Sequence, residues 1–282
     1  MTVIAHLSDL HIGPVPFPRA LPLRLKPVLG WINWARQRGA HEAALLQRAL
    51  AAVRDAGADH IVVTGDLIEL GQDTEWRAAA AAAAALGPAG QVAWAPGNHD
   101  LYTRDAPVRI RAGLAPWLAP AEPCDDIRAH FPRLDRVGDV ALVTLCTGAP
   151  TWLFSAEGAL GAGQLARLDR LLAGLDRQRC LPVIAMHHPP YAPGLSRLKQ
   201  LRDGAALLDL ADRHGCQVIL HGHLHRACRV DWQGAHGRIA LIGAASASAA
   251  GHGHDDPASF NLVTVTRTPD GFAWQVERRP VG

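Results

Sequence analysis

Residues 95–102 read Ala-Pro-Gly-Asn-His-Asp-Leu-Tyr and follow a short apolar run, Gln91–Ala95, that is typical of a buried strand. A Pro-Gly pair breaks the strand, and Asn98, His99 and Asp100 then place an amide, an imidazole and a carboxylate in a row. Catalytic groups collect on loops just past strand ends in α/β proteins. From these residues alone a polar turn is the better interpretation. Whether they form a functional site depends on what the rest of the chain contains.

The same succession of an apolar run and a polar loop recurs at four other places. The predicted strands Val3–Leu7, His60–Thr64, Pro182–Met186 and Gln217–Leu220 are each followed directly by Asp, His or Gly-Asp residues. Ordinary polar turns are dominated by other residue types, so repeated histidines at strand ends indicate site chemistry. Together the five strand ends supply Asp9, His11, Asp66, Asn98, His187, His223 and His225.

Helical patterns separate the strands in the first half of the chain. Apolar residues recur at helical spacing in Glu42–Ala56 and in Asp73–Leu86, where a run of eight Ala favours a helix. Further helices are predicted at Gly163–Leu175 and Ala205–His214, and a hairpin that turns at 138–139. The later strands follow one another, at Ala227–Trp232, Arg238–Ala244, Leu262–Thr266 and Phe272–Glu277. This order predicts an α/β fold of two packed sheets with helices outside.

Length, composition and charge narrow the classes of function. The chain has 282 residues, 49% of them hydrophobic, which favours a single domain over 1–282 with a large core. The formal net charge of +2 predicts no strong field for nucleic acid or membrane. Five Cys without a Cys-x-x-Cys pair favour reduced thiols. With no signal-peptide pattern at residues 1–11 and no apolar run of membrane-spanning length, we expect a cytoplasmic location.

The residue types at the strand ends are metal ligands. Asp, His and Asn suit divalent first-row ions such as Mn, Fe, Co and Zn. Seven ligands are too many for one four-coordinate ion, but they supply four contacts to each of two ions if one carboxylate bridges. Two ions about 3.5–4 Å apart form a clamp suited to in-line displacement at phosphorus. Gly65, Gly97 and Gly222 each precede a predicted ligand, where we expect them to let the backbone turn sharply.

The order Asp-x-His, Gly-Asp, Gly-Asn-His-Asp, His and Gly-His-x-His, from Asp9 to His225, resembles the calcineurin-like metallophosphoesterase superfamily. The resemblance implies a four-layer α-β-β-α sandwich of two mixed sheets with the active site at strand ends. It implies that a hydroxide between the two ions is the nucleophile, and that His99 donates a proton or a hydrogen bond to the leaving oxygen. It assigns one ion to Asp9, His11, Asp66 and His225, and the other to Asp66, Asn98, His187 and His223.

Four residues close to these ligands in sequence have supporting roles in this interpretation. Glu69 either pairs with His99, as the resemblance implies for several relatives, or is a solvated residue. Asp100 either orients His99 or stabilises the turn, and we favour the structural role. His188 and His221 flank ligands and are expected to support them through hydrogen bonds.

Residues 12–41 separate the first two motifs by more than the resemblance implies. The segment holds five Pro, two Trp and five Lys or Arg, without an acidic residue. A short helix is predicted over Val28–Arg38, with its two Trp one turn apart on one face. The segment is predicted to form one wall of the substrate entrance or to contact a membrane surface, although packing against the protein's own helices is an equal alternative. The entrance residues would be Trp31, Trp34, Arg36 and Arg38.

The substrate class is suggested by residues 65–76, Gly-Asp-Leu-Ile-Glu-Leu-Gly-Gln-Asp-Thr-Glu-Trp. This stretch resembles bacterial class III cyclic-nucleotide phosphodiesterases and glycerophosphodiesterases, and so does His-His-Pro-Pro at 187–190. A small-molecule or lipid-like phosphodiester is therefore the leading substrate, with two Mn, Fe or Zn ions as cofactors. The alternatives are a pyrophosphatase for a sugar-nucleotide or lipid-linked substrate, a phosphomonoesterase, and a non-catalytic metal-binding scaffold. The low net charge and the lack of a basic-aromatic groove argue against a nuclease.

Overall fold

A computed structural model of the chain describes residues 1–13, 15–17, 25–36, 40–118, 126–149 and 155–282. Within these ranges eleven strands form two mixed sheets, accompanied by six α-helices. The elements of the first half are β1 (Thr2–Leu7), α1 (Leu25–Arg36), α2 (Ala43–Asp55), β2 (His60–Val63), α3 (Asp73–Leu86), β3 (Val92–Trp94), α4 (Ala106–Leu114), β4 (Arg133–Val137) and β5 (Val140–Thr144). Those of the second half are α5 (Gly161–Ala173), β6 (Leu181–Ala185), α6 (Gly204–Arg213), β7 (Val218–His221), β8 (Cys228–Gln233), β9 (Arg238–Gly243), β10 (Ser259–Thr268) and β11 (Gly271–Pro280).

The strand order brings the polar loops to one edge of each sheet. The first sheet has the order β11-β10-β1-β2-β3, in which β1, β2 and β3 are parallel. The second has the order β4-β5-β6-β7-β9-β8, in which β5, β6, β7 and β9 are parallel. Parallel strands end at the same edge, where open α/β sheets place their ligands. Leu7 pairs with Val63, and Val63 with Trp94, so the loops that follow begin at one level.

Three apolar layers of contact hold the two sheets and the helices together. Between the sheets, Ile4 and Val62 of the first pack with Leu142, Val183 and Leu220 of the second. Buried side chains of α2, α3 and α4 cover the outer face of the first sheet. Those of α5 and α6 cover the outer face of the second. The predicted four-layer α-β-β-α sandwich is therefore confirmed.

The element boundaries agree with the sequence where a local signal marks them. Helix α3 begins and ends as predicted, because Gln72 and Glu75 form a capping box at its start. Buried Glu75 also accepts backbone N–H groups of Glu69, Leu70 and Gln72, and so shapes the loop that follows β2. The last two strands are longer than predicted, at ten residues each, because they pair with each other over their whole length.

Two helices differ from the sequence-based expectation. The predicted helix at 28–38 begins earlier, at Leu25, and α4 was not predicted. Helix α4 is short and buries Ala106, Ile110 and Leu114, which are spaced four residues apart, while Pro107 lies in its first turn, where proline is tolerated. Within the described ranges, none of the helices is both long and apolar enough to cross a bilayer.

The cysteines that the structure describes are free thiols, as expected. They are Cys146, Cys180, Cys216 and Cys228. Burial raises the pKa of Cys146 and of Cys216, which keeps both in the protonated, unreactive form. Cys124 lies outside the described residues.

Leu142 is fully buried in the contact between the two sheets, so truncating its side chain should cause a large loss of stability. We expect Leu142→Ala to lower the free energy of unfolding by about 2–5 kcal/mol, because it removes buried methyl groups and leaves a cavity. Urea unfolding followed by circular dichroism measures the change. Leu198→Ala is the matched control: Leu198 is 54% exposed, so its loss should stay within about 0.5 kcal/mol. Equal, small losses in both variants would contradict a shared core.

Candidate active site

The seven predicted ligands meet where the two sheets present their strand ends. Three strands of the first sheet and two of the second contribute them, from both sides of one cleft. All but two are buried, and the remaining pair, His223 and His225, are half-buried. The set is Asp9 and His11 after β1, Asp66 after β2, Asn98 after β3, His187 after β6, and His223 and His225 after β7.

Asp9, His11 and His225 form the first group of donors. The Nε2 atoms of His11 and His225 lie 3.2 Å apart. Asp9 Oδ1 lies 3.3 Å from Nε2 of His225 and 3.9 Å from Nε2 of His11. Two imidazole nitrogens that face each other at such a distance repel unless a proton or a cation lies between them. Asp66 belongs to this group too, since its carboxylate clusters with Asp9 and His11.

Asp66, Asn98, His187 and His223 form the second group. His187 Nε2 lies 3.1 Å from Asp66 Oδ2, 3.2 Å from Asn98 Oδ1 and 3.2 Å from His223 Nδ1. One ring nitrogen cannot satisfy three polar neighbours with a single proton, whereas a cation attracts all four atoms. The other nitrogen of His223, Nε2, is buried and has no hydrogen-bond partner among the described residues.

Polar contacts on the far side of the rings, one of them a hydrogen bond, orient the imidazoles. His187 Nδ1 donates to the carbonyl of Thr64 at 2.7 Å. His11 Nδ1 lies 2.7 Å from Glu69 Oε2, and His225 Nδ1 lies 3.2 Å from a carboxylate oxygen of Asp255. Such contacts keep the proton on Nδ1 and leave the lone pair of Nε2 directed at the site, as in metal-binding histidines. The nitrogen and oxygen donors of both groups therefore fit divalent first-row ions.

The buried charges of the site influence one another strongly. Burial favours the neutral form of Asp66 and is the largest single influence, but His187 and His99 outweigh it and hold the pKa of Asp66 well below its usual range. Burial likewise disfavours a charged His225, yet Asp9 and Asp255 raise the pKa of that ring to about 10. The carboxylates thus create a strongly negative potential, which favours cations at this place.

Five predicted ligands have left-handed backbone. They are Asp9, His11, Asp66, His223 and His225, with φ of 52°, 43°, 53°, 69° and 52°. Among the described residues, no other non-glycine residue has a positive φ. Each such conformation costs on the order of 1–3 kcal/mol and persists only where surrounding structure enforces it, most often at functional sites. The strain coincides with the ligands predicted from the motifs.

The three glycines before predicted ligands serve two different purposes. Gly65 has a φ of 87°, as a sharp turn at a strand end requires. At Gly97 and Gly222 the reason is space rather than backbone freedom. A Cβ atom on Gly97 would overlap Asp66 Oδ1, and one on Gly222 would overlap the hydroxyl of Ser8. Any side chain at these positions would therefore displace the residues that form the site.

Asp100 fastens two of the strand-end loops together. Its carboxylate accepts the backbone N–H groups of Asp66 and Leu67, after β2, and of Gly97, after β3, at 2.8–2.9 Å. Burial and the charge of Asp66 raise the pKa of Asp100 to about 6. The structural role that we favoured for this residue agrees with these contacts, although Asp100 joins two loops instead of capping the turn that follows it.

His99 lies beside the second group and faces a cavity. Its Nδ1 donates to the backbone carbonyl of Glu69 at 2.7 Å, which leaves Nε2 free to meet another molecule. Its backbone N–H donates to Asp66 Oδ1 at 2.9 Å. Burial favours the neutral ring and is the largest influence, but Asp66 and Glu69 raise the pKa of His99 above its ordinary value. The carboxylate of Glu69 contacts both rings, with Oε2 2.7 Å from Nδ1 of His11 and Oε1 3.9 Å from Nδ1 of His99. These contacts agree with the predicted pairing of Glu69 with His99 and not with a solvated residue.

His188 and His221 are buried and make hydrogen bonds to groups other than the predicted ligand side chains. His188 bonds the hydroxyl of Thr147 at 2.8 Å and the carbonyl of Ala156 at 3.0 Å, while His221 bonds the carbonyl of Gly222 at 3.1 Å. Burial lowers the pKa of His188 to about 3 and that of His221 to about 4, so both rings are neutral. In the described contacts, His188 supports the ligands by packing on the rings of His187 and His223.

A cavity of about 590 Å³ opens above the two groups. Its floor includes Asp66, Asn98 and His99, and its walls include the loop 192–195. Two cationic side chains, Lys199 and Arg226, line it as well. Sequence reasoning missed both: folding alone brings Lys199 to the cavity, whereas Arg226 directly follows the predicted ligand His225, a signal that was available.

The segment 12–41 reaches the site at its end. Trp34 of α1 lines a second cavity of about 600 Å³, together with apolar side chains of α2 and α3 and with His11 and His41. Trp31 packs on Phe17, with ring centroids 4.9 Å apart, and donates to the carbonyl of Val15. The side chain of Arg36 and the whole of Arg38 lie outside the described residues. His41 was not predicted as a site residue, although an isolated histidine at the end of an acid-free segment was a signal.

Comparisons with known proteins identify the family of this chain. The model of the calcineurin-like phosphoesterase family matches residues 2–227. A probable cyclic nucleotide phosphodiesterase of Synechococcus sp. (strain WH7803) is 29% identical over 210 residues, which cover 71% of this chain and 70% of that protein. Another, of Rhodococcus erythropolis (strain PR4 / NBRC 100887), is 29% identical over 201 residues, or 67% of this chain and 59% of that protein.

Solved structures show the same architecture at much lower sequence identity. A dimetal phosphatase from Danio rerio superposes with a TM-score of 0.61 at 14% identity, over 100% of this chain and 99% of that chain. That likeness concerns the fold, while the family model covers every motif from Asp9 to His225. The chain therefore belongs to the calcineurin-like phosphoesterase family and is a hydrolase of phosphoesters.

Proposed function

We propose that this phosphoesterase hydrolyses phosphodiesters with two divalent ions, Mn, Fe or Zn. The observation that carries the proposal is the pair of donor groups that share Asp66 beneath an open cavity. Asp9, His11, Asp66 and His225 would hold one ion, and Asp66, Asn98, His187 and His223 the other. When bound, two such ions polarise a phosphoryl oxygen and supply a nucleophile from water near neutral pH.

The residues of the chain have separate tasks in this reaction. Asp66 holds the two donor groups at a fixed separation, because His187 and the N–H of His99 bind its two oxygens. The Nδ1–H of His99 donates a hydrogen bond to the carbonyl of Glu69, and Nε2 faces the cavity. From there it would donate a proton to the leaving oxygen, a task for which a raised pKa is suited.

A diester is favoured over a monoester by the relatives and by the shape of the site. Both curated relatives are named probable cyclic nucleotide phosphodiesterases, which makes a cyclic nucleotide the second candidate substrate. Lys199 and Arg226 on the cavity walls suit the phosphate charge. The adjoining apolar cavity at Trp34, which shares His11 and His41 with the site, suits a bulky apolar substituent of a diester better than a small polar nucleotide.

The two-ion site predicts that two substitutions reduce metal binding to different extents. Asp66→Ala should lower the affinity for both ions, because Asp66 contributes to both groups. Asn98→Ala should mainly lower the affinity for the second ion. Elemental analysis after loading with excess Mn or Zn and removal of unbound metal measures the stoichiometry, which we expect to approach two ions per wild-type chain. A wild-type stoichiometry of one or less would show that the assignment is wrong.

The proposed role of His99 predicts a loss that depends on the leaving group. His99→Ala and His99→Gln should keep their ions and lose about 10²–10⁴ in kcat for alkyl diesters, because a poor leaving group needs a proton donor. The loss should be much smaller for nitrophenyl diesters, whose leaving group departs without protonation. His214→Ala, at a half-buried histidine that bonds Asp169 on α5, is the control and should retain full activity. Equal losses on both substrates would rule out proton donation.

The apolar cavity predicts a difference between the two tryptophans of α1. Trp34→Ala should raise KM for a nitrophenyl diester with a long alkyl chain and leave that for a methyl nitrophenyl diester unchanged, because only Trp34 lines the cavity. Trp31→Ala is the comparison variant and should have the smaller effect, since Trp31 packs on Phe17 and against Trp34, with ring centroids 4.9 and 6.2 Å apart, without lining the cavity. If both variants behave like the wild type on both substrates, and are equally stable, the cavity does not take part in substrate binding.

A further inference from the structure

His41 contacts the first group of donors, although the motifs assign it no role. One of its ring nitrogens lies within 4.8 Å of ring nitrogens of both His11 and His225. Its ring centroid lies 4.4 Å from that of His11 and 5.4 Å from that of His225. The side chain lines the active-site cavity as well as the apolar one. The group that receives the first ion therefore contains a third imidazole.

Backbone contacts hold His41 firmly at this place. It forms an isolated antiparallel bridge with Ala249, and on either side Glu42 N–H donates to Ser248 and Ala250 N–H donates to Ala40, at 2.8 and 3.0 Å. The segment 12–41 is thus anchored at its end to the loop between β9 and β10. His41 is positioned as rigidly as a residue at a strand end, which a metal ligand requires.

A chain of hydroxyl groups contacts Nδ1 of the His41 ring. Ser246 Oγ lies 2.6 Å from the carbonyl of Asp9, which can only accept, so Ser246 donates its proton there. Ser248 Oγ lies 3.3 Å from Ser246 Oγ, and His41 Nδ1 lies 2.8 Å from Ser248 Oγ. His41 Nδ1 also lies 3.3 Å from Ser246 Oγ. When Ser248 Oγ donates to Ser246 Oγ, the Nδ1 of His41 is the donor to Ser248. The proton then resides on Nδ1, and Nε2 carries the lone pair.

This is the arrangement found in the predicted ligands His11, His187 and His225. Each of them directs Nδ1 to an acceptor and turns Nε2 toward the site. A hydrogen bond on the far nitrogen orients a ligating imidazole and raises its basicity. We propose that His41 is a further ligand of the first ion, beside His11 and His225, an inference that rests on the proposed two-ion function.

Binding of a single ion isolates this role. In an Asn98→Ala background, which weakens the second ion, calorimetric titration with Mn or Zn reports the first ion. Adding His41→Ala or His41→Gln should lower the affinity for this ion at least about tenfold. Loss of a group that only supports a metal ligand usually lowers metal affinity by about 10–100-fold, and loss of a ligand should cost no less. Ser248→Ala should also lower the affinity for the first ion, but by a smaller factor. His214→Ala in the same background is the control and should change nothing. Circular dichroism verifies that each variant is folded.

The absorption spectrum of the cobalt-loaded protein provides a readout that does not depend on activity. Loss of an imidazole ligand should shift the visible bands of Co(II) in His41→Ala and His41→Gln, while His214→Ala keeps the wild-type spectrum. Unchanged affinity together with an unchanged spectrum would overturn the inference, and lowered turnover in such a variant would point to a substrate contact instead. Wild-type protein that binds fewer than two ions would overturn the proposed function itself.

Discussion

The left-handed backbone at the strand ends is the constraint on which the rest of the site depends. Five of the parallel strands must stop, turn the chain and direct a carboxylate, an amide or an imidazole into the cleft between the sheets. Asp9, His11 and Asp66 do this with positive φ, held by the hydrogen bonds of Asp9 N–H to Gly65 and of His11 N–H to Asp66. Both bonds join the loop after β1 to the loop after β2, so neither loop relaxes alone.

The buried core between the sheets makes this strain tolerable. Apolar burial stabilises by about 25 cal/mol per Å² of surface removed from water. The layer that includes Ile4, Val62 and Leu220 lies directly behind the loops of the site. Asp100 adds a polar fastening from the same side, through three backbone N–H groups. A rigid scaffold of this kind can hold like charges close together, as a pair of cations requires.

The sequence predicted the features that local patterns encode. Apolar runs followed by histidine or aspartate identified the strand ends, and the run of eight Ala identified α3. The four-layer arrangement came from the resemblance of the motifs, because the order of strands in a sheet is not visible in any local period. The seven donors were predicted from the residues that follow five strands, and the structure brings their side chains into two adjoining groups.

The features that were not predicted depend on contacts between distant parts of the chain. Glu69 contacts His11, 58 positions earlier, and nothing near either residue in sequence indicates this pair. The position of His41 follows from its bridge to Ala249. Left-handed φ at aspartate and histidine has no sequence signal, because the residue type that normally marks it is glycine.

The placement of β1 between β10 and β2 has a consequence for synthesis on the ribosome. The carbonyl of Asp9 receives its hydrogen bond from Ser246, 237 residues later in the chain, and β1 pairs with β10 from Thr2 to His6. An emerging nascent chain thus exposes Asp9 and His11 long before their partners exist. Pairings of such high contact order form late and slowly. Asp66 and Asn98 are synthesised before residue 100, but His187, His223 and His225 follow much later, so the full donor set exists only near the end of synthesis.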